Sequence, residues 1–298
     1  MERRKFIGST LAGGAIFGGY SGLNGSSNAY AQSDQKLTSD NIRFAENLVI
    51  ERDVPGQPHK GKVLAIIHEH ADDAPLGCAG TIAKLIKEGY TAYLIRVTND
   101  MEDPSPTLGR KVAKIDLDHQ DVGKALGIKK IYDFAYRKHH LDEISIHELT
   151  GRLIYLFRML EVDTIITHDP WKHYDINPDH TVTANAVRAA CWMSNEGADY
   201  PEFIQSGLAK KGVKERYYYG VGPMIQYNFT LVNRIVDISS VIDKKVEANL
   251  ANKNWGPHAR SDFKTIKDSL TNGREGQLGR HFGLEYAEAY VYQSELVL

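Results

Sequence analysis

Cysteine is scarce in this chain. Its 298 residues carry two, Cys78 and Cys191. A cysteine-rich metal knuckle is thereby excluded, and the two thiols are left either to pair or to stay free and buried. An excess of charge is equally absent. Lys and Arg number 36 and Asp and Glu 38, a formal net charge of -2, so nothing in bulk draws the chain to nucleic acid or to an anionic membrane. Long apolar runs are missing as well. The stretch from Phe6 to Tyr20 is short and Gly-rich, so no membrane span is expected in the mature chain. What remains is ordinary for a soluble globular protein: 42% hydrophobic and 25% charged residues.

The amino-terminal residues read as a leader. Arg3 and Arg4 precede the weakly apolar stretch, and Ala29-Tyr30-Ala31 supplies a small-x-small cleavage site before Gln32. Residues 1–31 are therefore expected to be a twin-arginine signal peptide, residues 32–45 a polar linker and residues 46–298 the functional domain. The expected destination is periplasmic or extracellular.

From Val63 the pattern alternates. Apolar runs over Val63–Ile67, Thr91–Val97 and Asp163–Thr167 predict buried strands, with a shorter strand over Ile131–Phe134. Helical spacing marks Gly80–Glu88, with Gly89 as its stop, and then Lys111–Leu126, Ile146–Leu160 and Thr181–Met193. Further on, the region of Tyr217 and Leu231–Ile238 suggest strands, and Val241–Asn254 and Lys264–Leu270 suggest helices. Strands alternating with helices predict an α/β fold: a Rossmann-like three-layer α/β/α arrangement with a mainly parallel sheet. Ligands in such sheets sit beyond the carboxyl ends of the strands.

Two loops at such ends carry the chemistry. The first, after Val63–Ile67, holds His70, Asp72 and Asp73. The second holds His168, Asp169, His173, Asp175, Asp179 and His180. Two imidazoles and one carboxylate with an open position make a metal site able to activate water. Adjacent Asp72 and Asp73 repel unless a cation lies between them. One can then coordinate while its neighbour accepts a proton. Zinc suits these donors; Fe2+ or another divalent cation is the alternative.

Read as motifs, His70-Ala71-Asp72-Asp73-Ala74 resembles the His-Pro-Asp-Asp-Glu motif of the PIG-L/LmbE-like deacetylases, and Asn177-Pro178-Asp179-His180 resembles their His-Pro-Asp-His motif. "THDPWKHY", "YYYGVGP" and "GLEYAEAY" also look like family segments. The resemblance runs from about Val63 to the end. It implies a zinc-dependent enzyme that removes the acetyl group from N-acetylglucosaminyl or related substrates. It makes His70, Asp73 and His180 metal ligands and Asp72 the general base, and gives a small-molecule or glycoconjugate substrate. Asp179 is expected either to orient a ligand imidazole or to cap the helix beginning near Thr181.

Three positions depart from the family pattern: Ala71 for proline, Ala74 for glutamate and Asn177 for histidine. In the family that histidine helps stabilise charge at the reacting centre. Asn177 is carried here as a catalytic candidate that can donate a hydrogen bond but has no proton to give. Asn252 also stands where many members carry His in a His-x-Ser-Gln run. These changes motivate an alternative, a metal-containing glycan-binding module with weakened turnover. Around the site, Asn99 and Asp100 are read as sugar contacts or turn formers. Arg137 and His140 are read as entrance residues or a solvated loop. Trp171 is a stacking platform or core, and His173 and Tyr174 are substrate-side candidates.

Overall fold

A computed structural model of the chain describes residues 47–101, 108–171, 175–220 and 231–294. Contacts divide the chain between Lys36 and Leu37, and every described residue belongs to the second unit. The leader, the linker, His173 and Tyr174 lie outside the described residues.

Among the described residues eight strands form one sheet: β1 (Val49–Glu51), β2 (Val63–His68), β3 (Thr91–Thr98), β4 (Lys130–Tyr136), β5 (Thr164–His168), β6 (Glu215–Tyr219), β7 (Arg234–Asp237) and β8 (Ala287–Ser294). Their order is β1-β7-β8-β6-β5-β2-β3-β4. All pairings are parallel except the two made by β8, with β6 and with β7. The predicted mainly parallel α/β sheet is thus present.

The helices cover both faces. One layer contains α1 (Asp73–Gly77), α2 (Ala79–Lys87), α3 (Leu108–Leu126), α7 (Ile242–Ala251) and α8 (Phe263–Asn272); the other contains α4 (Ile146–Leu160), α5 (Pro178–Met193) and the short α6 (Pro201–Gln205). Alternation along β2 joins the layers: Leu64 and Ile66 pack into one core, Ala65 and Ile67 into the other. Cys78 sits in the first core and Cys191 in the second, so the sheet separates them; both are free and buried. Among the described residues no helix is long and apolar enough to cross a membrane.

Local chemistry sets the element ends. α2 ends at Glu88 with Gly89 in the left-handed region at φ 108°, which glycine adopts without a Cβ penalty. Its first turn is capped from afar: Glu288 on β8 accepts from the N–H groups of Gly80 and Thr81 at 3.1 and 2.8 Å. Asn177 caps α5, accepting from the Asp179 N–H at 3.1 Å, with Pro178 in the first turn. The helix therefore starts three residues before the expected Thr181, and the cap is Asn177 rather than Asp179.

Candidate metal centre

Strand order reverses direction at β2. From it the chain proceeds outward through β3 and β4 on one side and through β5 and β6 on the other. Ile66 of β2 lies in register with Ile166 of β5, so the two His-bearing loops leave the sheet side by side at the topological switch point. The first loop runs into the short helix α1 (Asp73–Gly77). The second ends at α5, which puts His180 in that helix's first turn.

Residues 110 positions apart meet here. His70 Nδ1 lies 3.2 Å from His180 Nε2 and 3.1 Å from Asp73 Oδ2. His180 Nε2 lies 3.6 Å from Asp73 Oδ1. Two donors on a shared tetrahedral zinc stand about 3.3–3.6 Å apart; the three separations, which reach both Asp73 oxygens, lie at or just below that range. Each ring is held through its other nitrogen. His70 Nε2 bonds Asp179 Oδ2 at 3.1 Å, and His180 Nδ1 bonds Asp175 Oδ2 at 2.7 Å. With the ring protons assigned to those bonds, both remaining lone pairs face the same point as the Asp73 carboxylate.

A second grouping overlaps the first. Glu69, Asp73, His168 and His180 bring donor atoms within 4.8 Å of one another. His168 stacks on His180 with centroids 4.1 Å apart and planes at 13°. Imidazole lone pairs lie in the ring plane, so these two near-parallel rings do not aim at one ion. His168 instead bonds the fully buried Glu69 at 2.6 Å and packs against Tyr219, backing the His180 ring. The Oε1 atom of Glu69 is buried without a hydrogen-bond partner among the described residues, and burial pushes its carboxyl well above the usual range.

Electrostatics confirm a local shortage of positive charge. Burial opposes a charge on His70, yet Asp73 and Asp179 hold its pKa well above the imidazole range. Burial would raise Asp73, but His180 and His70 keep it well below the carboxylate range. Asp72 is pushed up to about 6 by burial and by Asp73. Its Oδ1 accepts from the Trp255 indole N–H at 3.0 Å. Asp179 carries more than His70: it also accepts from the N–H groups of His139 at 2.6 Å and Leu141 at 3.2 Å, and these bonds keep its pKa low against burial.

The outer candidates divide. Asn99 forms a turn, its side chain accepting from the Met101 N–H at 3.1 Å. Asp100 is 1% exposed and pushed up to about 7 by burial. It accepts from the Ala71 N–H and pairs with Arg96 at 3.3 Å, so it braces the first loop from below and is closed to sugar hydroxyls. Arg137 is exposed, and His140 pairs with Glu143 at 2.9 Å. Trp171 is 56% exposed, which removes the core alternative. The expectations for His173 and Tyr174 fall outside the described residues. The sequence marks Glu69 as part of the carboxylate cluster after the first strand but assigns no role to it or to Trp255. A glutamate beside the metal motif was a visible signal for the first; nothing local marked the second.

Fold and site together define a three-layer α/β protein with a histidine–carboxylate cluster at its switch point. Residues 65–191 match the family model PIG-L: GlcNAc-PI de-N-acetylase, in line with the resemblance to the PIG-L/LmbE-like deacetylases carried by the sequence motifs. It is 27% identical over 193 residues to diacetylchitobiose deacetylase of Thermococcus kodakarensis, covering 63% of this chain and 67% of that protein. It is 26% identical over 164 residues to 1D-myo-inositol 2-acetamido-2-deoxy-alpha-D-glucopyranoside deacetylase of Mycobacteroides abscessus, covering 44% of this chain and 57% of the relative. Among solved structures, N,N'-diacetylchitobiose deacetylase from Pyrococcus horikoshii superposes with a TM-score of 0.65 at 22% identity, over 78% of this chain and 84% of that one. That likeness speaks to the fold.

Proposed function

We propose that this protein is a metal-dependent amidohydrolase, an N-deacetylase that cleaves an N-acetyl amide on an amino sugar or glycoconjugate. In this reading His70, Asp73 and His180 hold the ion, zinc by donor type, and Asp72 is the base. One observation carries it: three donors from two distant loops lie within 3.6 Å of each other, with a fourth side chain, Asp72, beside them. The names of both sequence relatives, deacetylases of N-acetylated amino sugars, support the substrate class.

A divalent cation bound there supplies Lewis acidity and lowers the pKa of water. The chain's own groups do the rest. Asp72, raised in the metal-free site by burial and by Asp73, is the carboxylate placed to take a proton from the attacking water. It returns that proton to the leaving amine. Asp179 and Asp175 hold the two imidazoles in the tautomers that turn lone pairs inward. Asn177, as the α5 cap, has its carbonyl oxygen committed to the backbone. This is the observation that favours the second reading, a glycan-binding module with little turnover.

Acetate release from a panel of N-acetylglucosaminyl compounds, measured with and without chelator on protein of known metal content, separates the two. Metal-dependent turnover supports the enzyme. Metal-replete protein that binds glycans without releasing acetate supports the module, and then Asn177→His should raise turnover. Export rests on residues 1–31 alone. Mature protein beginning at Gln32, and retention in the cell on replacing Arg3 and Arg4 by Lys, are its tests.

A further inference from the structure

Trp255 and Asp72 are 183 positions apart, yet the indole Nε1–H donates to Asp72 Oδ1 at 3.0 Å. The loop that carries Trp255 follows α7 and is anchored from below. Asn254 donates its backbone and side-chain N–H groups to Asp118 of α3 at 2.6 and 2.8 Å. The next residue, Gly256, has φ 84°, and a Cβ there would stand 2.8 Å from Asp72 Cβ and 3.0 Å from its Oδ2. The carboxylate is therefore held on one oxygen by the indole and pressed near the other by the Gly256 backbone. The ring itself is fixed: the Lys138 ammonium lies 3.9 Å from its centroid, and Lys138 is 6% exposed. A cation on the ring face draws on the π cloud, which makes the indole N–H a better donor.

We propose that Trp255 is a positioning residue for Asp72. Rotation about the terminal torsion of an aspartate is broad and roughly two-fold. The indole bond and the Gly256 backbone select one orientation and leave Oδ2 as the proton-accepting atom. Proton transfer depends on such alignment, and a misplacement of about 1 Å can cost on the order of 100-fold in rate. This inference rests on Asp72 acting as base in the proposed deacetylation.

The experiment uses the full, metal-loaded chain with Trp255→Phe and Trp255→His. Phenylalanine keeps an apolar ring without the donor; histidine restores a ring N–H. The expected result for Trp255→Phe is a kcat lower by about 10- to 100-fold, with KM within about threefold and metal content unchanged. Trp255→His should recover part of the loss. Wild-type kcat in Trp255→Phe overturns the proposal, and so does a rise in KM alone, since the ring would then be a substrate wall. A second readout needs no turnover. The chain has three tryptophans, and Trp255→Phe identifies the Trp255 indole resonance in a 15N–1H spectrum. Asp72→Ala should move that resonance and leave the other two in place; an unmoved resonance also overturns the proposal. Absence of wild-type turnover would count against the deacetylase reading instead, because the spectrum still decides whether Trp255 holds Asp72.

Discussion

His70 Nδ1 and His180 Nε2 face each other across 3.2 Å while the opposite nitrogen of each ring is bonded to a carboxylate. Two lone pairs so placed, with Asp73 beside them, are reconciled only by a cation. Without metal that cation is a proton, which is why His70 is held above its ordinary pKa by Asp73 and Asp179 despite burial. Metal uptake must therefore displace it. Zinc binding near pH 7 should release about one proton, and apparent affinity should weaken about tenfold for each pH unit of acidification. Calorimetry in two buffers of different ionisation enthalpy measures the count. Binding without proton release would contradict the assignment.

Asp175 and Asp179 should separate in mutation. Asp175 accepts from His180 through Oδ2 and from the Asn177 N–H through Oδ1; Asp175→Asn keeps an oxygen for the backbone bond, so it should weaken metal binding about 10- to 100-fold with little change in Tm. Asp179 also accepts from the N–H groups of His139 and Leu141. Asp179→Asn should therefore lose metal affinity and thermal stability together. Chelator competition and thermal unfolding of both variants check this; equal Tm losses would mean the two carboxylates do the same work.

Much of this arrangement could be read from local pattern. β2 and β5 were legible because strands buried on both faces are continuous apolar runs, and the two His loops announced themselves at the ends of those runs. The start of α5 was ambiguous because Asn177 and Asp179 are both good caps, and only the fold shows Asp179 drawn away to His70. β8 was passed over as a strand. Its Glu288 looks like a surface residue, yet it is buried because it caps α2. The helix at Arg274–His281 was hidden by Gly276 and Gly279, which read as breakers. Trp255 could not be found at all, since its partner is 183 positions away.

Asn177 tests whether the departure from the family histidine matters for chemistry or for folding. Its side chain caps α5, so Asn177→Ala should cost about 1 kcal/mol, which lowers Tm by about 2–4 °C in a domain of this size. With its carbonyl oxygen on the backbone, its removal should change kcat by less than about threefold. Thermal unfolding and steady-state kinetics on one preparation decide. A collapse of kcat at unchanged Tm would make Asn177 catalytic.

Acid stability should report on a cluster remote from these ligands. Glu275 is buried beside Arg274 at 2.6 Å and Lys245 at 3.1 Å. Burial alone would raise its pKa, but the two cations bring it down to about 2. Its folded value thus lies below the ordinary glutamate value of about 4.3, so the folded state favours the ionised form, a contribution of about 3 kcal/mol. That contribution is complete at neutral pH and lost as pH falls from about 5 through the folded value. In Glu275→Gln there is no proton to take up. The variant should be less stable than wild type at pH 7, because Arg274 and Lys245 both lose the Glu275 carboxylate, Lys245 keeping Glu288 at 2.6 Å and the Leu76 carbonyl at 2.8 Å. It should also lose less stability than wild type between pH 5 and pH 3. Urea unfolding at pH 7, 5, 4 and 3 measures both curves. Parallel curves would show that Glu275 titrates as an ordinary surface glutamate and that the buried pair is not formed.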